Sequence, residues 1–246
     1  MSHSEGLDFN RSNLSTTDIN AAINALMDAA ALVEQREERR TYLGASGIGS
    51  ECLRRVQYDW QCDSVHAART KRIFSRGHMF EEITVKALGQ AGFRMERGTA
   101  ATHFSAAEDL FKGHADGIIV AGPDVLKYPC LFEHKALGSS GWKKIEKYGL
   151  RQAYPQYFDQ CQLYMAYLGL DENPALFSAV NSDNCEILHL LVPFDGEAAQ
   201  AASDRAVSVI KATKAGELLP RITEKGPTDW RCKMCSHKDR CWSEQA

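Results

Sequence analysis

Apolar and polar positions alternate with period two through Leu131-Phe132-Glu133-His134-Lys135-Ala136, which predicts a strand with Leu131, Glu133 and Lys135 on one face and Phe132, His134 and Ala136 on the other. A second short apolar strand, Ile118-Ile119-Val120, follows Gly113-His114-Ala115-Asp116-Gly117, and Gly122-Pro123-Asp124 is the turn signal between the two. Adjacent strands of this kind present Asp116, Glu133 and Lys135 to one another. After Ser139-Ser140-Gly141 the pattern turns helical: Trp142 to Tyr148 gives one or two basic turns, and Pro155 opens a helix from Gln156 to Leu168 that Gly169 closes. On that helix Gln156, Gln160, Tyr164 and Tyr167 form a polar-aromatic stripe, while Phe158, Cys161, Met165 and Leu168 serve as the core side. Ala175 to Val180 and Cys185 to Val192 read as two strands that extend the sheet, joined through Asn181-Ser182-Asp183-Asn184. Asp195 then caps a helix from Glu197 to Ala215, with Gly216 as its stop.

Toward the N-terminus, Thr16-Thr17-Asp18 caps a helix from about Ile19 to Arg36, with Ile19, Ala22, Ile23, Leu26, Ala30, Leu32 and Val33 at roughly helical spacing, and a charged run follows from Glu34 to Arg40. A second helix lies between Arg69 and Gly92. It carries Arg76-Gly77-His78-Met79-Phe80-Glu81-Glu82 ahead of Ile83, Val85 and Leu88. These elements predict one α/β domain, a small mixed sheet flanked by helices.

Composition is that of an ordinary globule, with 246 residues, 44% of them hydrophobic and 25% charged. The net charge of −3, from 29 basic and 32 acidic residues, gives the whole molecule no attraction for nucleic acid, so any DNA-binding surface is local. Basic residues cluster at Lys143, Lys144, Lys147 and Arg151, at Arg69, Lys71, Arg72 and Arg76, and at Arg54 with Arg55. Each cluster reads either as a phosphate-binding patch or as a solvated face. Tyr148, Tyr154, Tyr157 and Tyr164 interleave with the first cluster, available to stack on bases or to pack in the core. Met1-Ser2-His3-Ser4-Glu5-Gly6 opens no basic-then-apolar leader, and no apolar run is long enough to span a membrane, which predicts an intracellular, cytoplasmic protein. There is no Gly-rich phosphate loop, helicase motif or repeat.

The convergence of Asp116, Glu133 and Lys135 suits phosphodiester hydrolysis. Two carboxylates supply the hard oxygens that Mg²⁺ or Mn²⁺ prefers, and a lysine beside them can hold the attacking water or stabilise developing charge. Taken by residue type alone, Glu133 and Lys135 also read as a solvated edge pair, and Glu81 as a helix-surface carboxylate with His78 its rival one turn away. The eight cysteines point to a second site. Cys232-Lys233-Met234-Cys235 and Cys241 have metal-ligand spacing, and a fourth ligand comes from among Cys52, Cys62, Cys130, Cys161 and Cys185. The last three lie in strand or helix patterns, where a cysteine is usually a small buried hydrophobe. A four-thiolate set serves zinc and iron-sulfur clusters alike.

The phrases Gly113 to Gly117, Glu133-His134-Lys135 and Gln160-x-x-x-Tyr164 resemble the motifs of the PD-(D/E)XK nuclease superfamily, in its RecB-like exonuclease branch. Cys52 near one end, Cys232, Cys235 and Cys241 near the other, and the phrase from Pro220 to Trp242 are similar to the iron-sulfur subgroup that includes CRISPR-associated exonucleases and the AddB nuclease domain. The resemblance covers residues 42–246 and leaves 1–41 as an appended helical segment. It implies a restriction-endonuclease-like α/β core with a C-terminal Cys-rich metal-binding segment at 230–242. The implied activity is that of a metal-dependent DNA exonuclease, with Asp116 and Glu133 ligating Mg²⁺ or Mn²⁺, Glu81 assisting, Lys135 activating the water, Gln160 positioning the site and Tyr164 contacting DNA. Glu81 stands where the family carries an Arg-Gly-x-x-x-His or Arg-Gly-x-x-x-Glu phrase, in the glutamate variant of phage-type recombination exonucleases. Cys52, Cys232, Cys235 and Cys241 are implied ligands of a structural 4Fe-4S cluster, with Zn²⁺ the alternative. The implied partners are DNA with free ends and a protein of recombination, repair or CRISPR adaptation, in a bacterial or phage setting. Two rival expectations stand beside this: a non-catalytic DNA-binding or assembly module of the same fold, and an endonuclease with a structural zinc.

Overall fold

The computed structural model describes residues 16–33, 41–62 and 66–243. In chain order these form α1 (Thr16–Val33), β1 (Leu43–Gly44), α2 (Leu53–Gln61), α3 (Ala68–Gln90), β2 (Arg94–Glu96), β3 (His103–Ala106), β4 (Phe111–His114), β5 (Gly117–Ala121) and β6 (Cys130–Leu137). There follow α4 (Ser139–Ala153), α5 (Pro155–Leu168), β7 (Ala175–Asn181), β8 (Ile187–Val192), α6 (Gly196–Ala215), α7 (Trp230–Lys233) and α8 (Lys238–Ser243). The opening residues 1–6 and the charged run 34–40 lie outside the described residues, as does the expected end of the first helix beyond Val33. No described helix is long and apolar enough to cross a membrane.

The chain divides into two compact units, Met1–Glu38 with Val65–Ser75, and Arg39–Ser64 with Arg76–Ala246. In the first, α1 is tied to the opening turns of α3. Lys71 Nζ donates to the Ala31 carbonyl at 2.9 Å, and Arg72 pairs with Asp28 at 2.6 Å. Two members of the basic cluster at Arg69, Lys71, Arg72 and Arg76 are therefore engaged inside this unit.

The second unit is built on a five-stranded sheet in the order β2-β5-β6-β7-β8, antiparallel except for the parallel pair β6 and β7. The central strands β6 and β7 are buried on both faces through most of their length, which is why Ala175–Asn181 reads as a nearly continuous apolar run. Leu131 enters the main core with Ile145, Leu163 and Phe177, while Phe132 joins a smaller cluster with Leu88 and Ile119 on the opposite face. Each fully buried side chain of this size contributes about 1.5–3 kcal/mol by leaving water. A second sheet, β1-β4-β3, stands beside the first. The sequence pattern predicts Gly113 to Asp116 as the lead-in to a single strand, whereas the structure has a separate strand β4 there.

The helices after β6 hold the site in place. Pro155 begins α5 and Gly169 ends it in the left-handed conformation (φ 66°), as the turn residues require. Asp195 caps α6 by accepting from the Ala198 N–H at 3.0 Å, and Gly216 (φ 71°) stops it. α4 is twice the expected length, Ser139–Ala153, and is broken at Gly149, whose φ of 71° no helix interior adopts. β8 starts at Ile187, two residues later than the pattern suggested.

Candidate active site and cysteine cavity

Asp116 immediately precedes β5, and its Oδ2 accepts from the backbone N–H of His134 at 2.8 Å, so antiparallel pairing of β5 with β6 fixes the carboxylate against β6. Glu133 is fully buried (0% exposed). Its Oε1 accepts from Lys135 Nζ on the same strand face and from Gln160 Nε2 of α5 at 2.7 Å. Its Oε2 is buried with no hydrogen-bond partner. Burial pushes the Glu133 carboxyl up to about 8, with the charge of Asp116 adding to the push and Lys135 opposing it. For Lys135 burial disfavours the ammonium, but the charges of Glu133 and Asp116 outweigh burial and its pKa rises. The Lys135 ammonium also lies 5.4 Å from the centre of the Tyr157 ring.

Gln160 is buried as well, and its Nε2 reaches the Tyr164 hydroxyl at 3.4 Å. Tyr164 is only 2% exposed and its ring packs with Phe104 in the core. Gly113 lies against both rings, where a β-carbon would collide with them. The tyrosine expected to contact DNA is thus covered in this structure. The stripe from Gln160 to Tyr164 is covered because α5 is buried on more than one face, and the Tyr164 hydroxyl meets Gln160.

On the opposite face of β6, His134 Nε2 lies 3.1 Å from Thr84 Oγ1, and burial holds its pKa down to about 4. This contact attaches α3 to β6. One turn before Thr84, Glu81 is half-buried, and burial with the Asp116 charge raises its pKa. Ile83 is turned to solvent. His78 is 81% exposed at its side chain and lies 3.9 Å from Glu81. The residue that sequence reasoning missed is Arg97. Its Nη2 bonds Glu81 at 2.5 Å and Glu82 at 2.8 Å, and its Nε donates to the Asp116 carbonyl at 3.1 Å. A lone arginine after a three-residue strand carries no signal of that role.

Among the described residues no group of three or more His, Cys, Asp or Glu side chains stands ready to hold a metal ion. The donor chemistry nevertheless fits a hard divalent cation. Glu133 and Asp116 repel one another, and the buried Oε2 has no other partner.

The second cluster is a cavity of about 530 Å³ that Cys52, Cys232, Cys235 and Cys241 all line. Cys52 meets the C-terminal segment there because α2, which follows Cys52, clamps the approach to that segment. Arg54 donates to the Leu219 carbonyl, Gln57 Nε2 to the Glu217 carbonyl at 2.6 Å, and Leu219 N–H to Gln57 Oε1 at 3.0 Å. Arg54 is thus a buried strut and not the phosphate-facing residue its neighbourhood suggested. Burial pushes the Cys232 thiol up, a hydrogen bond with Trp242 opposes this, and Cys52 and Cys235 add to it. Asp229 caps α7 through the Arg231 N–H at 2.9 Å, and its bonds to Arg231 hold its carboxyl far below the usual range. His237, also on the cavity wall, pairs with Asp59 at 2.7 Å. Its place two residues after Cys235 was the available clue.

The other cysteines lie elsewhere. Cys62 is 2.6 Å from Arg240 Nη1, while Cys130 and Cys161 are buried, with burial pushing Cys130 up to about 11. Cys185 contradicts the expectation of a buried hydrophobe: it is exposed in the turn before β8, at φ 65°.

No family profile and no curated protein matches this chain. Solved structures do. An alkaline exonuclease (LHK-Exo) from Laribacter hongkongensis superposes with a TM-score of 0.52 at 15% identity, over 78% of this chain and 93% of the exonuclease. The same exonuclease in complex with dAMP gives a TM-score of 0.52 at 16% identity, over the same shares. The structure of SSO0001 gives 0.48 at 15% identity, over 93% of this chain and 100% of that one. The chain therefore has the fold of an alkaline exonuclease, a mixed α/β core with helices on its flanks.

Proposed function

We propose that this chain is a metal-dependent deoxyribonuclease of the PD-(D/E)XK type, acting from DNA ends in preference to internal sites. The observation that carries this reading is the constellation of Asp116, Lys135 and Gln160 around the buried Glu133 in a fold shared with an exonuclease. Asp116 and Glu133 would hold Mg²⁺ or Mn²⁺, with Glu81 assisting. When bound, such an ion neutralises phosphate charge and lowers the pKa of a coordinated water. Gln160 fixes the Glu133 carboxylate so that its free oxygen keeps one direction. Lys135, kept charged by its carboxylate neighbours and backed by the Tyr157 ring, is poised to orient the attacking water or to stabilise charge developing on the phosphate. Arg97 neutralises Glu81 and Glu82 and braces the Asp116 backbone. Cys52, Cys232, Cys235 and Cys241 would hold a structural metal group, a 4Fe-4S cluster ahead of a single zinc, since the shared cavity has room for the larger occupant. The activity is assigned to DNA recombination, repair or CRISPR adaptation.

The test is the fate of end-labelled single- and double-stranded DNA incubated with the purified protein and Mn²⁺ or EDTA. Progressive loss of label with Mn²⁺ alone supports the exonuclease. Cleavage of circular DNA points to an endonuclease, and intact DNA under every condition refutes the reading.

A further inference from the structure

Resting on that nuclease reading, we propose that the outward face of the sheet β1-β4-β3 is a stacking track for an unpaired stretch of the DNA substrate. The track would lead into the site at Asp116. Alternation along the β4 segment buries Phe111, Gly113 and Ala115 and turns Lys112, His114 and Asp116 to the other side. Phe104, packed on Phe111 and Tyr164, already fills the inward face with Phe111, so the core is built without the outward rings.

Those outward rings form a row. His103 of β3 stands opposite His114 of β4 in the antiparallel register, with ring centroids 4.3 Å apart and planes tilted by 59°. Tyr42, just ahead of β1, stacks on the other side of His114 at 6.4 Å and 28°. The Lys112 ammonium lies 5.5 Å from the Tyr42 ring centre. His114 is exposed, while Tyr42, His103 and Lys112 are partly so. From His114 to Asp116 is two residues of extended chain, about 7 Å. Arg97 binds the Asp116 backbone at the end of that step.

The chemistry of such a row selects the ligand. Aromatic and imidazole rings take the face of any base without reading its sequence, and an adjacent ammonium meets the phosphate between bases. Paired bases in a duplex have no free faces to offer. The occupant is therefore a single strand or a frayed end, next to the bond to be cut. A local strip of this kind also reconciles DNA binding with a net charge of −3.

The test is fluorescence anisotropy with a fluorescein-labelled oligo(dT) 15-mer and a blunt 15-base-pair duplex, in EDTA so that neither is cut. His114→Ala should weaken single-strand binding by about tenfold, and His114→Phe, which keeps a ring, should bind like the wild type. Duplex binding should change less than about twofold in both, since stacking needs unpaired bases. Lys112→Gln should reduce the dependence of log affinity on log salt by about 0.7. Single-strand affinity unchanged in His114→Ala, or an equal loss on the duplex, overturns the track, as does a salt slope unchanged in Lys112→Gln. Wild-type cleavage with Mn²⁺ is scored apart. A protein that cannot cut yet loses binding in His114→Ala keeps the track and loses the nuclease reading. One that cuts but binds equally well as His114→Ala keeps the nuclease and loses the track.

Discussion

Glu133 and Cys232 are both buried, but the regions around them are completed in different ways. Glu133 is gripped by Lys135 from its own strand and Gln160 from α5, while Asp116 is pinned to the next residue's N–H, so its surroundings are fixed by the same backbone pairing that makes the sheet. The thiols around Cys232 instead line a shared space of about 530 Å³, and among the described residues they are not gathered into a ligand set. In the first region protein groups already grip one oxygen of the Glu133 carboxylate, and Oε2 is left without a partner. In the second, burial favours the protonated Cys232 thiol, whose proton a bound metal would displace. The first region should therefore lose function without losing stability when altered, and the second should lose stability first.

The largest expected effect tests the first half of that contrast. Glu133→Gln and Lys135→Ala should each lower Mn²⁺-dependent cleavage by about 10³-fold or more, roughly 4 kcal/mol of transition-state stabilisation, while thermal unfolding stays within a few degrees of wild type. Near-normal cleavage by a folded Glu133→Gln protein would remove the assigned site.

Next comes the cysteine cavity. Cys52→Ala or Cys232→Ser should strip the bound metal and lower stability by on the order of several kcal/mol, with protease cutting the segment after Leu219 before the sheet is attacked. Anaerobically purified wild type should be brown, with about four irons per chain. Colourless protein with one zinc would replace the cluster with a zinc staple. Cys130→Ser and Cys185→Ala should keep the metal, since neither lines the cavity.

A third effect separates burial from catalysis at the strand itself. His134 has a folded pKa of about 4 against an ordinary 6.5, because burial disfavours its charge. Above pH 6.5 it is neutral folded and unfolded, and contributes nothing to the pH dependence. As pH falls from 6.5 toward 4 the unfolded chain takes up a proton that the folded chain refuses, so stability is lost over that window, by on the order of 3 kcal/mol for this group. Urea unfolding at pH 7.5 and 4.5 should show a smaller acid loss in His134→Gln than in wild type. Equal losses would mean that the ring is not held neutral.

What the sequence displayed, and what it hid, follow the same division. α5 and α6 were legible to within a residue or so because Pro155, Gly169, Asp195 and Gly216 are stop and start residues with one backbone meaning each. Strand β6 was legible because its alternation is set by the two core clusters that it separates. The β3–β4 hairpin was not. Its turn runs through Ala107, Glu108 and Asp109, all at positive φ, where sequence rules expect glycine or asparagine, and it is held by Ser105 Oγ donating to Asp109 at 2.5 Å. Arg97 was hidden for another reason: its partners Glu81 and Asp116 lie 16 and 19 residues away, and no short-range pattern relates them.

The smallest expected effect concerns Tyr157, a side chain that touches both regions. Tyr157 lines the cysteine cavity and also lies under the Lys135 ammonium at 5.4 Å, and its helix begins where Gly49 meets the Gln156 backbone too closely to admit a β-carbon. Tyr157→Leu removes the ring face but keeps an apolar body on the helix. A partly exposed cation-π contact is worth about 0.5–1 kcal/mol, so cleavage should fall only about two- to fivefold, whereas Tyr157→Phe should cut like wild type. If the two regions communicate through this ring, metal loss from Cys52→Ala should lower cleavage no further in a Tyr157→Leu background than the ring change does alone, at a temperature where both variants are folded. Losses that multiply instead would show that the cavity supports the active site through the α5 backbone, with the tyrosine ring acting on Lys135 alone.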